Sequence, residues 1–181
     1  MHDQDRPQPG ATWYLVRHGQ TDWNKAGRMQ GRTDIPLNDT GRAQAVLAAE
    51  ELANLRPTAV ISSPLSRAQE TAQIIATRIG GVEVHIEPGL IERSYGSAEG
   101  RDVRGLSDEQ RQALMDGGEP RAEAGRRGVR ALRELKTRYG DASVVIISHG
   151  ALIRVMLEQL TGEPHPRIAN AEIRAIDSRL V

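Results

Sequence analysis

The chain has 181 residues, with 24 lysines and arginines balanced by 24 aspartates and glutamates, and no cysteine. That length suits one domain with a sizeable core, and the missing cysteine excludes disulfides, thiolate nucleophiles and zinc-thiolate sites. Balanced charge with no basic stripe gives no nucleic-acid footprint, so no nucleic-acid partner is expected.

Residues 1–10 are polar, with no apolar run of the kind that marks a secretion signal. No stretch approaches the roughly 20 apolar residues of a membrane span. The expectation is a cytoplasmic chain without a membrane partner, with residues 1–11 as a flexible tail in which His2 has no role and 12–181 as one domain. Five short apolar runs follow, at 12–16, 58–62, 82–86, 143–148 and 172–176. Their β-branched, nearly unbroken apolar character predicts strands buried on both faces of a largely parallel sheet.

Helical patterns lie between them. Thr40 is the expected cap of a helix with Ala43, Val46, Leu47 and Leu52 on one face, and Ser63-Pro64 opens a helix that Gly80 closes. Ser107 and Gln110 form a capping-box pattern. A helix from about Ala122 carries Val129, Leu132 and Leu135 and stops at Gly140; the last, with Leu152, Val155, Met156 and Leu160 inward, stops at Gly162. The alternation predicts an α/β fold, a three-layer α/β/α sandwich around a mostly parallel sheet.

Three strand ends carry the chemistry. The first runs into Arg17-His18-Gly19, the second into a segment with Arg67 at the start of a helix, and the fourth into Ser148-His149-Gly150. Ligands of open α/β sheets bind beyond the carboxyl ends of strands, so all three face one rim. Two arginines and a helix N-terminus make an anion site suited to phosphate. Two histidines there suit a nucleophile and a phosphoryl-oxygen donor.

R-H-G-Q-T-D-W-N, S-S-P-L-S-R-A-Q-E-T-A, E-R-S-Y-G-S-A-E-G and S-H-G, in that order, resemble the histidine phosphatase superfamily, which includes phosphoglycerate mutases and small-molecule phosphatases. The resemblance spans about residues 13 to 176 and implies a phosphoglycerate mutase-like fold. It implies that His18 becomes phosphohistidine, that Arg17, Arg67 and His149 surround the transferred phosphoryl group, and that Glu92 protonates the leaving oxygen. Thr21, Asn24, Gln30 and Gly150 are implied to contact the substrate beside Arg17 and Arg67.

The partner implied is a small-molecule phosphate ester, with no cofactor and no metal; the oligomeric state stays open. His18 should be neutral at its attacking nitrogen, its other nitrogen donating to a carbonyl of the following loop. Asp22 and Asp34 are not expected to bind magnesium, with arginines near and no oxygen-rich cluster. His85 and His165 read as structural or exposed.

Three rival readings stand beside a cofactor-independent phosphatase. One is a phosphoglycerate mutase, favoured by E-R-S-Y-G and disfavoured by the short interval between Glu92 and His149. The others are a non-catalytic phosphate-binding module and a metal hydrolase using His18 and His149. Specificity is expected from the stretch between Glu92 and Ala122, where Ser97-Ala98 suggests a pocket that is open or lined by small groups, and a broad or large substrate.

Overall fold

Successive side chains of strand β1 (Thr12–Arg17) enter two apolar layers in turn, Trp13 and Leu15 on one side, Tyr14 and Val16 on the other. The same alternation runs through β2 (Ala59–Ser62) and β4 (Val144–Ser148): Ile61 and Ile146 join the first layer, Val60, Val145 and Ile147 the second. With β3 (Val84–Ile86) and β5 (Ile173–Asp177) they form one sheet in the order β3-β2-β4-β1-β5. The first four strands are parallel, and β5 runs antiparallel to β1. The computed structural model describes residues 12–115 and 117–181, so the expected tail and His2 lie outside the described residues.

The helices are α1 (Asp22–Lys25), α2 (Asp39–Leu52), α3 (Ser66–Arg78), α4 (Asp108–Met115), α5 (Arg121–Tyr139) and α6 (Gly150–Thr161). Helices α2 and α3 bury Ala48, Leu52, Ala72 and Ile75 against one face of the sheet. On the other face, α5 and α6 bury Leu132, Leu135, Leu152 and Met156. Each such leucine contributes at most about 1.5–3 kcal/mol of transfer free energy. The result is the expected three-layer α/β/α arrangement. Among the described residues no helix is long and apolar enough to cross a membrane.

Several boundaries move for local reasons. Helix α2 is capped by Asn38, whose side chain accepts from Gly41 N at 2.9 Å, two residues ahead of Thr40. The buried face becomes Gly41, Ala45, Ala48, Ala49 and Leu52, while Ala43 and Leu47 face outward. Helix α3 starts at Ser66, not at Pro64, because Asp34 from a distant loop accepts from the Ser66 amide at 2.9 Å and its hydroxyl at 2.7 Å. Strand β3 loses its first two residues: Val82 N is held by Ala76 O at the end of α3. The Ser107–Gln110 box forms in both directions, at 2.8 and 3.2 Å.

One close approach ties the fold to the loop after β1. A Cβ on Gly41 would lie 2.1 Å from Gln20 O, and one on Gly19 would lie 2.2 Å from Gly41 O. Backbone meets backbone, so neither neighbour can swing away. Gly41→Ala is therefore expected to destabilise the chain by roughly 2–3 kcal/mol. Urea unfolding should show a lowered midpoint at constant m; an unchanged midpoint would show that this contact yields.

Candidate active site

The sheet order assembles the site. Arg17 on β1 is in register with Ser148 on β4. The chain beyond each strand stays paired, His18 N donating to Ser148 O and Ser63 N to Ile147 O, both at 3.0 Å. Three adjacent carboxyl ends thus place His18, Ser63 and His149 together.

His18 Nδ1 lies 2.6 Å from Gly19 O. A carbonyl oxygen only accepts, so Nδ1 carries the proton and Nε2 the lone pair. The loop is pinned from three directions: Gly19 N donates to the Thr71 hydroxyl at 3.1 Å, and His18 O accepts from Ala171 N and from Asn170 Nδ2, both at 3.2 Å. Burial, then the charges of Arg67 and Arg17, hold the His18 imidazole well below its ordinary 6.5 against the pull of the Gly19 hydrogen bond. Neutral His18 is the resting form.

A cleft of about 330 Å³ opens above these ends, and Arg17, His18, Asn24, Gln30, Arg67, Glu92 and Gly150 form part of its wall. Each arginine is anchored through one part of its guanidinium: Arg17 Nη1 on Ile168 O at 2.8 Å, Arg67 Nη1 and Nη2 on Thr33 O and Gly31 O at 2.9 and 2.6 Å. Their Nε atoms are buried without a partner among the described residues. Burial brings both arginines down to about 10, which leaves them charged at neutral pH. Gly150 lets Arg17 lie flat, since a Cβ there would stand 3.1 Å from Arg17 Cδ and Nε.

Gln30 is oriented by its own network. Its Oε1 accepts from the Thr21 hydroxyl at 2.9 Å and from Asn24 Nδ2 at 3.0 Å, which leaves the buried Nε2 without a partner among the described residues. A donor with no acceptor beside the two arginines suits an anion. Thr21 itself departs from its expected place. It is fully buried behind the cleft, its hydroxyl used by Gln30 and, in the capping box of α1, by Asn24 N. His149 also stands behind the wall, its ring centroid 5.2 Å from that of His18, with Nε2 2.7 Å from Ser63 Oγ and Nδ1 unpartnered among the described residues. Burial first, then Arg67, His18 and Arg17, keep His149 neutral.

Glu92 changes the expected role of the α6 N-terminus. The amides of Leu152 and Ala151 donate to its Oε1 and Oε2 at 3.0 and 3.3 Å, and Arg93 N donates to Oε1 at 2.9 Å. These two helix N–H groups hold the carboxyl group, which leaves the guanidinium groups and Gln30 as the main side-chain donors for an anion. Burial pushes the Glu92 carboxyl above its ordinary 4.5, outweighing the amide bonds and the attraction of Arg67 and Arg17. The arrangement pairs a neutral imidazole with a carboxyl that retains its proton more readily than usual, across two fixed cations.

Other residues of the site carry weaker sequence signals. Thr71 lies four residues after Arg67, on the same helix face, and bonds its carbonyl at 2.7 Å, a spacing open to sequence reading. Asn170 has no such signal. Glu99 links the Arg67 loop to the Glu92 segment, accepting from Arg32 N, Thr33 N and Tyr95 N at 3.0, 2.7 and 3.1 Å. Glu119 binds Arg127, which holds Gly89 O and Ile91 O at 2.7 and 2.8 Å.

Ser97 and Ala98 do not themselves line the cleft, whose small groups are Gly27, Gly31, Gly150 and Ala151. Ala98 is buried in a single turn at Gly96–Ala98, and Tyr95, Val103, Arg104 and Arg111 face the cleft. The stretch after Glu92 does supply the wall, with larger and more basic groups. Asp34 is occupied by Ser66 and Asp22 bonds Asn38, and among the described residues no three metal-ligating side chains cluster.

Known proteins resemble the chain in both sequence and fold. The chain is 36% identical over 180 residues to the protein named "Probable phosphoglycerate mutase GpmB" of Yersinia pestis (strain Pestoides F), covering 91% of this chain and 83% of that one. A mycobacterial glucosyl-3-phosphoglycerate phosphatase solved with VO3 superposes with a TM-score of 0.79 at 30% identity, over 91% of this chain and 92% of that one. Phosphoserine phosphatase of Entamoeba histolytica in complex with 3-phosphoglyceric acid gives 0.78 at 30% identity, over 91% and 89%. The model of the histidine phosphatase superfamily (branch 1) matches residues 13–178, and the chain belongs to that family.

Proposed function

We propose that the chain is a phosphomonoesterase that hydrolyses small-molecule phosphate esters through a phosphohistidine on His18. The observation that carries this reading is the Nδ1–Gly19 O bond, which leaves the Nε2 lone pair on a neutral ring in a cleft walled by Arg17 and Arg67. In the first step Nε2 attacks phosphorus, and the ester oxygen leaves with the proton of Glu92. Arg17, Arg67 and Gln30 hold the equatorial oxygens, where a phosphoryl transition state carries its charge. In the second step ionised Glu92 takes a proton from water as that water attacks phosphorus, releasing inorganic phosphate and restoring His18.

The name of the Yersinia relative supports a second reading, in which the phosphoryl group passes to another acceptor from the same intermediate. Incubation with a panel of phosphate monoesters distinguishes the two: release of inorganic phosphate is expected, and transfer to product without release would overturn hydrolysis. Quenching in alkaline detergent during turnover of an ester radiolabelled in its phosphoryl group should trap label on protein, and its absence would remove the covalent mechanism.

Arg67→Lys provides a sharper check on the clamp. Lysine keeps the charge but has one shorter-reaching nitrogen in place of the planar fork whose Nη1 and Nη2 hold Thr33 O and Gly31 O while other N–H groups remain for phosphate. We expect kcat/KM to fall roughly a hundredfold, the scale of a misplaced reacting group. Wild-type kinetics would show that Arg67 is only a point charge.

A further inference from the structure

Beyond Arg17 and Arg67, the cleft wall holds five more arginines, Arg28, Arg104, Arg111, Arg154 and Arg167, and among the described residues its only acidic residue is Glu92. They come from separate parts of the chain: the turn after α1, the segment leading into α4, α4 itself, α6 and the loop before β5. Arg104 is neutralised by its own Asp102. The rest are not so matched. Arg154 approaches Glu158 only at 4.0 Å, and Glu158 is engaged by Arg121. Arg154 Nε and Arg111 Nε are buried without a partner among the described residues, and within the same limits Arg28 and Arg167 form no ion pair.

Like charges converging on a small cleft repel one another, and Arg167 and Arg67 both disfavour the charge on Arg17. A single phosphoryl dianion matches Arg17 and Arg67 and leaves the others unanswered. One carboxylate carries one charge. A second phosphoryl group carries two, and its three oxygens accept guanidinium forks from several sides at once. The Ala151 and Leu152 amides at the α6 N-terminus are already bound to Glu92, so these guanidinium groups are the charged donors placed to serve it.

We infer that the substrate carries a second phosphoryl group, held by Arg28, Arg111, Arg154 and Arg167 while the first is cleaved at His18. The inference rests on the phosphatase reading for the reacting group only. A cleft of about 330 Å³ has room for a small molecule with its two phosphoryl groups close together.

The test uses three straight-chain esters of one skeleton: a diol monophosphate, the matching ω-carboxy monophosphate and the matching bisphosphate. Allowing for its two equivalent ends, the bisphosphate should exceed the diol monophosphate in kcat/KM by roughly ten- to a hundredfold at low salt, with the carboxylate between them. Added salt should compress the ranking. Arg154→Ala and Arg111→Ala should each reduce the bisphosphate's advantage, and Arg154→Lys should retain part of it. Equal turnover of all three, or a carboxylate matching the bisphosphate, overturns the inference while leaving the phosphatase reading intact. Calorimetric binding of the same esters to His18→Ala separates the two ideas further. If wild type releases no inorganic phosphate and forms no phosphoenzyme, yet this variant binds the bisphosphate tightest, the phosphatase reading fails and the second subsite stands.

Discussion

Replacing His18 with alanine is expected to abolish phosphoenzyme formation and to lower kcat by roughly four orders of magnitude or more, the scale seen when a nucleophile is removed from a preassembled site. Arg17, Arg67 and Gln30 remain in place in this variant, because their anchors are Ile168 O, Gly31 O, Thr33 O and the Thr21–Asn24 pair. Binding should therefore survive while chemistry is lost. The measurement is labelling with a radiolabelled ester, quenched in alkaline detergent, in parallel with steady-state rates. In the wild type the label should be lost in acid and stable in alkali, as a phosphorus–nitrogen bond requires. Label on the alanine variant at wild-type stoichiometry would place the acceptor elsewhere.

Glu92→Gln is the second large effect, and its sign depends on the leaving group. Glutamine preserves the shape of the carboxyl group but cannot give up a proton. For alkyl phosphates, whose leaving oxygens need that proton, kcat/KM should drop by roughly 10²–10⁴, the usual range for a general acid. For an aryl phosphate with a weakly basic leaving group the first step should proceed almost as in wild type. The second step still lacks its base, so aryl product should appear as a burst equal to the enzyme concentration, followed by a slow phase. No burst, with both ester types hydrolysed at wild-type rates, would remove Glu92 from the mechanism.

The pH profile follows from the same groups. Protonated Glu92 is the competent form, its pKa is raised above 4.5, and activity falls as pH rises through that raised value. Neutral His18 is competent, its pKa is depressed below 6.5, and activity falls as pH drops through it. The profile of kcat/KM should be a bell between these two limits, and Glu92→Gln should lose the alkaline limb. A bound phosphate dianion moves Glu92 further upward by like charge.

The strands were legible because each is a short apolar run whose residues enter both core layers, as Trp13, Leu15 and Val16 do in β1. Helix starts were less so. Asn38 and Thr40 both have capping side chains, and nothing local decides between them; the Gly41–Gln20 contact does, by setting where α2 meets the loop after β1. Asp34 starts α3 from 32 residues away, a distance beyond any local pattern.

The site divides along the same line. Chain order and residue type by themselves determined that an arginine and a histidine end the first strand, that Ser63, Arg67 and His149 stand at two other strand ends, and that an α/β sheet brings such ends to one rim. Those properties are local: an apolar run stops and polar groups follow.

Tertiary structure alone decided which polar groups face the cleft and which hold others in place. It placed Thr21 behind Gln30, gave the α6 amides to Glu92, and drew Asn170 onto His18 O. It also gathered Arg28, Arg111, Arg154 and Arg167 around one small volume from separate segments of a chain with no net charge. Burial and distance set the protonation of His18 and Glu92, and both quantities exist only once the layers have packed.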